Sequence, residues 1–430
     1  MLNNYEEIML DDLRNMEDID ECEVWDEERK RWVTYSESCY SIESSTAYPD
    51  VEIADKEITS IALKSSKKST YHLLGRKDYD KTKTVTGIDP DNISFEKFDT
   101  EEALLLRFIK LWTYEYPDIV TGWNVEYFDI MYIVTRIQRL LGESKANELS
   151  PWGNIRKKSR EVFPGKMSST YDITGIQIID YMDAFKKFGY KYGTQETYKL
   201  DHIAHVVLGE RKLDYSEYGS LTELYNKNPQ LYLDYNLKDT HIVERMEDET
   251  ALLALVLTVA YGGGVNYSDA FGTVGIWEAT LYRRLMLSKI VPGVKTSPGD
   301  RLDELVGGYV KDPAVGLHNW VVSFDLNSLY PHLFLQYNMS PETFDRDHRI
   351  RIPDGHKDFQ ELVLSGQFQN KDNRYSVCAN GACFRNDALG VIPAIIDEYY
   401  SNRKKIKNDM LNVEKDIETI KEEMKRRNLF

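Results

Sequence analysis

Three carboxylates and one phenol stand out for the company they keep. Glu43 lies in the stretch CYSIESSTAYPDVE, Asp129 in GWNVEYFDIMYI, and Asp239 in YNLKDTHIV, four residues after Tyr235. On a helix, positions i and i+4 share a face, so Tyr235 and Asp239 are predicted to point into one cleft. Carboxylates gathered in this way hold two divalent cations about 4 Å apart, which generate hydroxide and stabilise the departing oxygen in phosphodiester hydrolysis. A tyrosine hydroxyl beside them can orient the attacking water. Singly, each of these residues is an ordinary surface side chain; the set, in its contexts and order, is what points to chemistry.

The scaffold for these side chains can be read from the pattern. Residues 1 to about 30 are acid-rich and poor in apolar positions, which predicts a short helical or partly disordered lead-in. From Trp32 the pattern is strand-like. Ile58, Ile61 and Leu63 in EITSIALKSS predict a strand, and SKKSTYHLLG the next strand of a hairpin. TEEALLLRFIKLWTYEYPDIVTGWN predicts a helix capped by Thr100, with Glu102 in its first turn and an end before Pro117, then a buried strand turning at Gly122. Strand, helix, strand in that order reads as α/β. A basic stretch with Arg156, Lys157, Lys158, Arg160 and Lys166 precedes the strand GIQIIDYMD. It is either a solvated hairpin or one that touches DNA phosphates.

From Ser297 the signals change. SPGDRLDELVGGYVKDP predicts a boundary loop, and WVVSFDLNSLYPHLFLQYNMSPET an apolar strand turning into a helix. IPAIIDEYYSNRKKIKNDMLNVEKDIETIKEEMKRRNLF predicts one long charged helix running to the last residue, on which Arg403 and Lys407 share a face.

Composition narrows the class. With 430 residues the chain should hold two to four domains. The net charge of -17 is unusual for a protein that grips phosphate, except where clustered carboxylates hold metal. The four cysteines Cys22, Cys39, Cys378 and Cys383 form no disulfide framework and no CxxC pair; Cys378 and Cys383 as metal ligands would lack a second pair. No apolar run reaches the roughly 18 residues of a membrane span, and a reducing cytoplasm is expected.

TGWNVEYFD, YNLKD and SFDLNSLYP resemble the second and third exonuclease motifs and polymerase motif A of family-B DNA polymerases. IIDYMDAFKKF and LFLQYNMSPET resemble the large tailed-phage members, and the resemblance runs from about residue 39 to the end. It implies an α/β chain: an RNase H-like 3′-5′ exonuclease domain, then a partial palm and a partial helical fingers domain. The implied layout is a lead-in over 1–38, the exonuclease over 39–251, a return to the N-terminal domain over 252–297, palm over 298–387 and a first fingers helix over 388–430. By the same resemblance, Glu43, Asp129 and Asp239 would hold Mg²⁺ or Mn²⁺ with Tyr235 beside them, and Asp325 would hold the polymerase metals. The backbone at Ser328 and Leu329 would meet the triphosphate, Tyr330 would reject a 2′-hydroxyl, and Arg403 and Lys407 would grip the triphosphate. Primer-template, single-stranded DNA and deoxynucleoside triphosphates are the implied ligands.

Two departures matter. The family's first exonuclease motif is Asp-x-Glu, but here it reads Ser41-Ile42-Glu43; Asp50-Val51-Glu52 is the competing placement, disfavoured because Pro49-Asp50 fits the stretch that comes after the motif. Serine is a poor ligand for a hard cation, so weak nuclease activity is expected. The sequence also lacks a second fingers helix with Lys-x3-Asn-Ser-x-Tyr-Gly and an Asp-Thr-Asp stretch. The expectation is a chain that does not polymerise alone and needs a second chain carrying the rest of palm, fingers and thumb. The rival readings are a stand-alone 3′-5′ exonuclease and a non-catalytic nucleic-acid-binding remnant.

Overall fold

A computed structural model describes residues 23–26, 31–34, 50–163, 166–292, 312–326, 328–348, 350, 352 and 359–427. The chain is mixed α/β and divides into two units between Trp277 and Glu278. The described part of the lead-in is not helical: β1 (Glu23–Asp26) and β2 (Arg31–Thr34) form an antiparallel pair with Val24 opposite Val33 and Trp25 opposite Trp32.

In the first unit, β3 (Ser60–Lys64) and β4 (Tyr71–Gly75) make the predicted hairpin, and β5 (Ile93–Lys97) adds to β4 in parallel. Ile58, Leu73 and Leu74 are fully buried. Helix α1 (Glu101–Glu115) begins as its sequence dictates, with the Thr100 side chain accepting from the Ala103 amide at 3.2 Å. Its Leu104, Leu105, Phe108 and Trp112 recur at helical spacing and are buried. It stops at Tyr116, in positive φ one residue before Pro117, because the residue before a proline is pushed out of helical geometry. At its start, Glu101 forms a buried bidentate pair with Arg136, whose guanidinium also donates to the Ala54 and Asp55 carbonyls.

Strand β6 (Ile119–Gly122) is half-buried rather than buried. Between it and its parallel partner the chain passes through helix α2 (Met131–Leu141) and the antiparallel hairpin β7 (Ile155–Phe163) and β8 (Lys166–Ile173). The partner strand is β9 (Gln177–Asp180). The basic stretch therefore does sit on a hairpin. Lys158 pairs with Asp172 at 2.8 Å and Lys157 with Glu52 at 3.5 Å. Helix α3 (Tyr181–Phe188) comes next, then α4 (Leu200–Leu208).

Helix α5 (Pro229–Thr250) lies against β3 and β4 and is tied to β3 and to the segment after β4 by buried polar groups. Asp234 accepts from the Tyr79 and Thr84 hydroxyls and the Val85 amide, the Asn236 amide donates to Ser60, and Lys238 donates to the Thr86 carbonyl. On the same helix, His241 Nδ1 lies 2.7 Å from the Tyr71 hydroxyl, which itself donates to Glu244. Burial first, then the cations Lys238, Arg245 and Lys64, hold the imidazole down at about 4, against the opposing pull of Glu210. Because that value lies below the unfolded one of about 6.5, unfolding takes up a proton between pH 6.5 and 4. Stability is thus fully present above pH 6.5 and falls through that window on acidification, by about 2 kcal/mol after solvent screening. Urea unfolding followed by tryptophan fluorescence at pH 7 and pH 4.5 should show this drop in the native chain and a smaller one in His241→Gln; equal drops would clear His241 of the effect.

Helices α6 (Leu252–Gly263) and α7 (Thr273–Leu287) complete this region, and the chain passes between units within α7. In the second unit the predicted strand before the helix is absent: residues 312–326 carry no regular structure, and Trp320 is 99% and Phe324 89% exposed. A strand needs a partner for its ladder, and none adjoins this segment among the described residues. The predicted helix is present as α8 (Leu329–Gln336). A three-stranded sheet of β10 (Phe344–Asp345), β11 (Tyr375–Val377) and β12 (Cys383–Arg385) leads to α9 (Val391–Arg426), which ends at Arg426 with Arg427 as its cap. Asn338, at φ 51°, accepts from the Gly390 amide and donates to the Arg385 and Ala388 carbonyls, while Glu342 accepts from the Val391 amide. This cap places a carboxylate at the positive end of α9. Among the described residues no helix is long and apolar enough to cross a membrane.

Candidate active site

Asn228 caps α5 through its side chain and Pro229 opens it, so the helix starts at a defined point and the phase of every later residue is set. Tyr235 and Asp239 are one turn apart on α5, as their spacing predicts, and both are buried. Lys212 joins them: its ammonium lies 3.1 Å from the Tyr235 hydroxyl and 3.1 Å from Asp239 Oδ2, and it sits over the Tyr235 ring. Tyr215 packs edge-on against that ring, with centroids 5.3 Å apart. Sequence reasoning missed Lys212 because GERKLDYSEY is an ordinary polar loop, and only the tertiary fold brings it to α5. The loop is aimed by Asp201 on α4, which accepts from the Lys212 amide at 2.8 Å and from Arg211 at 2.6 Å.

Asp129 arrives from the neighbouring motif by an unusual route. After β6, Asn124 adopts the left-handed conformation at φ 59°, and Val125–Ile130 form a π-helical turn that runs into α2. Turns of this kind recur at functional sites because the extra residue re-aims a side chain. Val125, Phe128 and Ile130 go to the core, leaving Asp129 half-buried. The turn is pinned by Asp180, the cap of α3, whose carboxylate accepts from the amides of Asn124 (3.0 Å), Glu126 (3.2 Å) and Met182 (3.0 Å). Burial, with Asp183 nearby, pushes this carboxyl up to about 7 against those three donors. The Thr170 hydroxyl of β8 donates to the Glu126 carbonyl, tying the basic hairpin to the same turn.

Glu43 and Ser41 lie outside the described residues. The competing pair does not sit on a strand: Asp50 closes a turn by accepting from the amides of Glu52 and Ile53, and Glu52 faces Lys157. Among the described residues no three of His, Cys, Asp and Glu gather as a metal site. Hard carboxylate oxygens are nonetheless the donors that Mg²⁺ or Mn²⁺ takes, and the ammonium of Lys212 against Asp239 shows the buried carboxylate neutralised by a cation. Cys378 and Cys383 are free thiols beside the β11–β12 turn.

In the second unit Asp325 is exposed, Ser328 precedes α8 in left-handed geometry, and Leu329 and Tyr330 are exposed at the helix start. Helix α8 meets α9 through an edge-on contact of His332 with Tyr400, centroids 4.9 Å apart. Arg403 and Lys407 lie three and seven residues beyond Tyr400, on the same stripe of α9, and both are exposed.

Comparison with known proteins agrees with these motifs. The model of the family B DNA polymerase exonuclease domain matches residues 6–203, and that of DNA polymerase family B matches residues 278–426. The DNA-directed DNA polymerase of Escherichia phage RB69 is 32% identical over 79% of this chain and 36% of its own length. The chain belongs to DNA polymerase family B. The polymerase of Enterobacteria phage T4, 29% identical over 77% of the chain, and the DNA polymerase delta catalytic subunit of Candida albicans, 25% identical over 72%, extend the family match to phage and eukaryotic members. The chain spans 36% and 35% of the lengths of the two phage relatives. Family B membership thus covers both units, the exonuclease region in the first and the start of the polymerase region in the second.

Proposed function

We propose that the chain removes nucleotides from the 3′ end of single-stranded DNA and supplies the beginning of a DNA-directed DNA polymerase site. The observation that carries the nuclease reading is the buried Tyr235 and Asp239 of α5 with Lys212 between them, in a chain whose residues 6–203 match the family's exonuclease domain. Glu43, Asp129 and Asp239 are the carboxylates that would hold Mg²⁺ or Mn²⁺, and the ions would supply a hydroxide and a counter-charge for the leaving oxygen. Tyr235 orients the attacking water by its hydroxyl, and Lys212 adds positive charge where the phosphate becomes more negative. Residues 39–251 would form the RNase H-like exonuclease domain, with 252–297 returning to the N-terminal domain.

In the second unit, palm over 298–387 and fingers from 388, Asp325 is the metal-binding carboxylate. The Ser328 and Leu329 backbone receives the triphosphate, Tyr330 excludes a 2′-hydroxyl, and Arg403 and Lys407 hold the phosphates, Arg403 in bidentate fashion. The exposed apolar residues of 320–326 and of α9 are completed by a second chain carrying the remaining palm, fingers and thumb. The setting is the cytoplasm of a phage-infected host.

The decisive experiment concerns Ser41. Digestion of a 5′-labelled single strand should be slow in the native chain and rise on the order of a hundredfold in Ser41→Asp, with dependence on Mg²⁺, because this change restores the second carboxylate of the family's Asp-x-Glu motif. A native chain that already digests at a rate this change does not improve would sink the assignment of Ser41 and Glu43.

A further inference from the structure

A surface outside the cleft carries a different signature. Residues 181–199 read YMDAFKKFGYKYGTQETYK, so lysines and aromatic residues alternate in a chain whose net charge is -17. The structure folds this segment so that the rings form a connected layer with the lysines over it. Phe185 contacts Trp123 at 6.3 Å and stacks on Tyr192 at 5.6 Å. The Lys186 ammonium lies over the Tyr198 ring and that of Lys191 over the Tyr192 ring, both at 5.3 Å. Tyr190 is 78% exposed, and Lys186, Lys187, Lys191 and Lys199 are exposed. The acidic residues here are Asp183, half-buried, and Glu196, exposed, so the exposed balance is positive.

Two connections join this layer to the cleft. The Trp123 indole donates to the Tyr198 carbonyl at 3.0 Å, and Trp123 immediately precedes the Asn124 turn that delivers Asp129. At the far end, Lys199 precedes α4, whose Asp201 holds Lys212 at Asp239. One end of the surface thus adjoins the turn that carries Asp129, and the other adjoins the helix whose Asp201 holds the Lys212 loop.

We propose that residues 186–199 form a binding platform for single-stranded nucleic acid, on which unpaired bases stack on Tyr190 and phosphates meet Lys186, Lys187, Lys191 and Lys199. This proposal rests on the nuclease reading for its direction, since a strand whose 3′ end lies in the cleft would continue across it. Rings on a positively charged groove are the device by which proteins hold single strands without sequence preference, and a duplex hides the base faces they need.

The test is fluorescence anisotropy of the full chain, in EDTA so that no strand is cut, with labelled oligodeoxythymidylates of about 4 and about 16 nucleotides. The native chain should bind the longer one more tightly. The Lys186→Ala/Lys187→Ala/Lys191→Ala variant should reduce the slope of log affinity against log salt by about 2 for the longer oligomer and leave the shorter one unchanged. Tyr190→Ala should weaken the longer oligomer about tenfold and Tyr190→Phe should not, because stacking needs the ring and not the hydroxyl. Variants that bind the long oligomer like the native chain would overturn the proposal, as would losses equal at both lengths. Digestion of the short oligomer in Mg²⁺ by Ser41→Asp, measured alongside, reports on the nuclease reading independently: digestion without patch-dependent binding defeats the platform alone, and binding without digestion by Ser41→Asp defeats the nuclease alone.

Discussion

Digestion of single-stranded DNA is expected to fall by on the order of a thousandfold in both Asp239→Ala and Asp239→Asn, while the two variants differ in stability. Asp239 is 2% exposed and its Oδ2 faces the Lys212 ammonium at 3.1 Å. Alanine removes the carboxylate and strands a buried cation, a change that costs about 3 kcal/mol of folding stability. Asparagine keeps the shape and an oxygen acceptor, so it should cost less, yet it cannot supply the negative charge that a divalent ion requires. Lys212→Met combined with Asp239→Asn removes both charges and should recover stability without recovering activity. Initial rates on a 5′-labelled oligomer, read beside urea midpoints, check this. An Asp239→Asn variant as active as the native chain would remove Asp239 from the metal site, and full activity in Lys212→Met would reduce Lys212 to a structural partner.

Primer extension is expected to be absent from the 430-residue chain alone and to appear when it is mixed with a polypeptide carrying the remaining polymerase segments of a phage relative, and Asp325→Ala should stop it, by at least roughly a thousandfold. Nucleotidyl transfer needs ions held by carboxylates from separate palm strands, and here Asp325 lies on an exposed segment with no ladder partner among the described residues. Trp320, Phe324 and Leu326 are exposed around it, and Ile406, Met410 and Val413 are exposed along α9, which is the surface such a partner would cover. Gel-resolved extension of a labelled primer reads the result. Extension by the chain alone, with Asp325→Ala inactive in the same preparation, would overturn the need for a partner.

The parts of the fold legible in the sequence are those decided locally. Thr100 caps α1 because a threonine ahead of Glu101 and Glu102 satisfies amides within its own turn, and Pro117 ends the helix by sterics that involve one neighbour. Tyr235 and Asp239 come together because their spacing on one helix is enough. The illegible parts depend on distant residues. Lys212 reaches Asp239 from another stretch of chain through a loop aimed by Asp201. The strand expected of WVVSFDL has the right composition, but a strand forms against a partner, and none adjoins it among the described residues. The acids of residues 23–26 suit a helical or disordered lead-in, whereas backbone pairing with residues 31–34, further along the chain, decides their state.

The π-helical turn at Val125–Ile130 bears on how this chain can change length. An α-helix advances about 100° per residue, so the loss of one residue from this turn would let the backbone close into ordinary helix while rotating everything before the repair relative to α2. The hydrophobic register of α2 would survive, since Met131, Ile133, Val134 and Ile137 lie beyond the turn and are buried. Asp129 would instead swing away from the side of the helix it now occupies. A deletion here would also displace the buried Val125, Phe128 and Ile130 and the amides held by Asp180, so this one turn sets the packing of the core and the aim of Asp129 together.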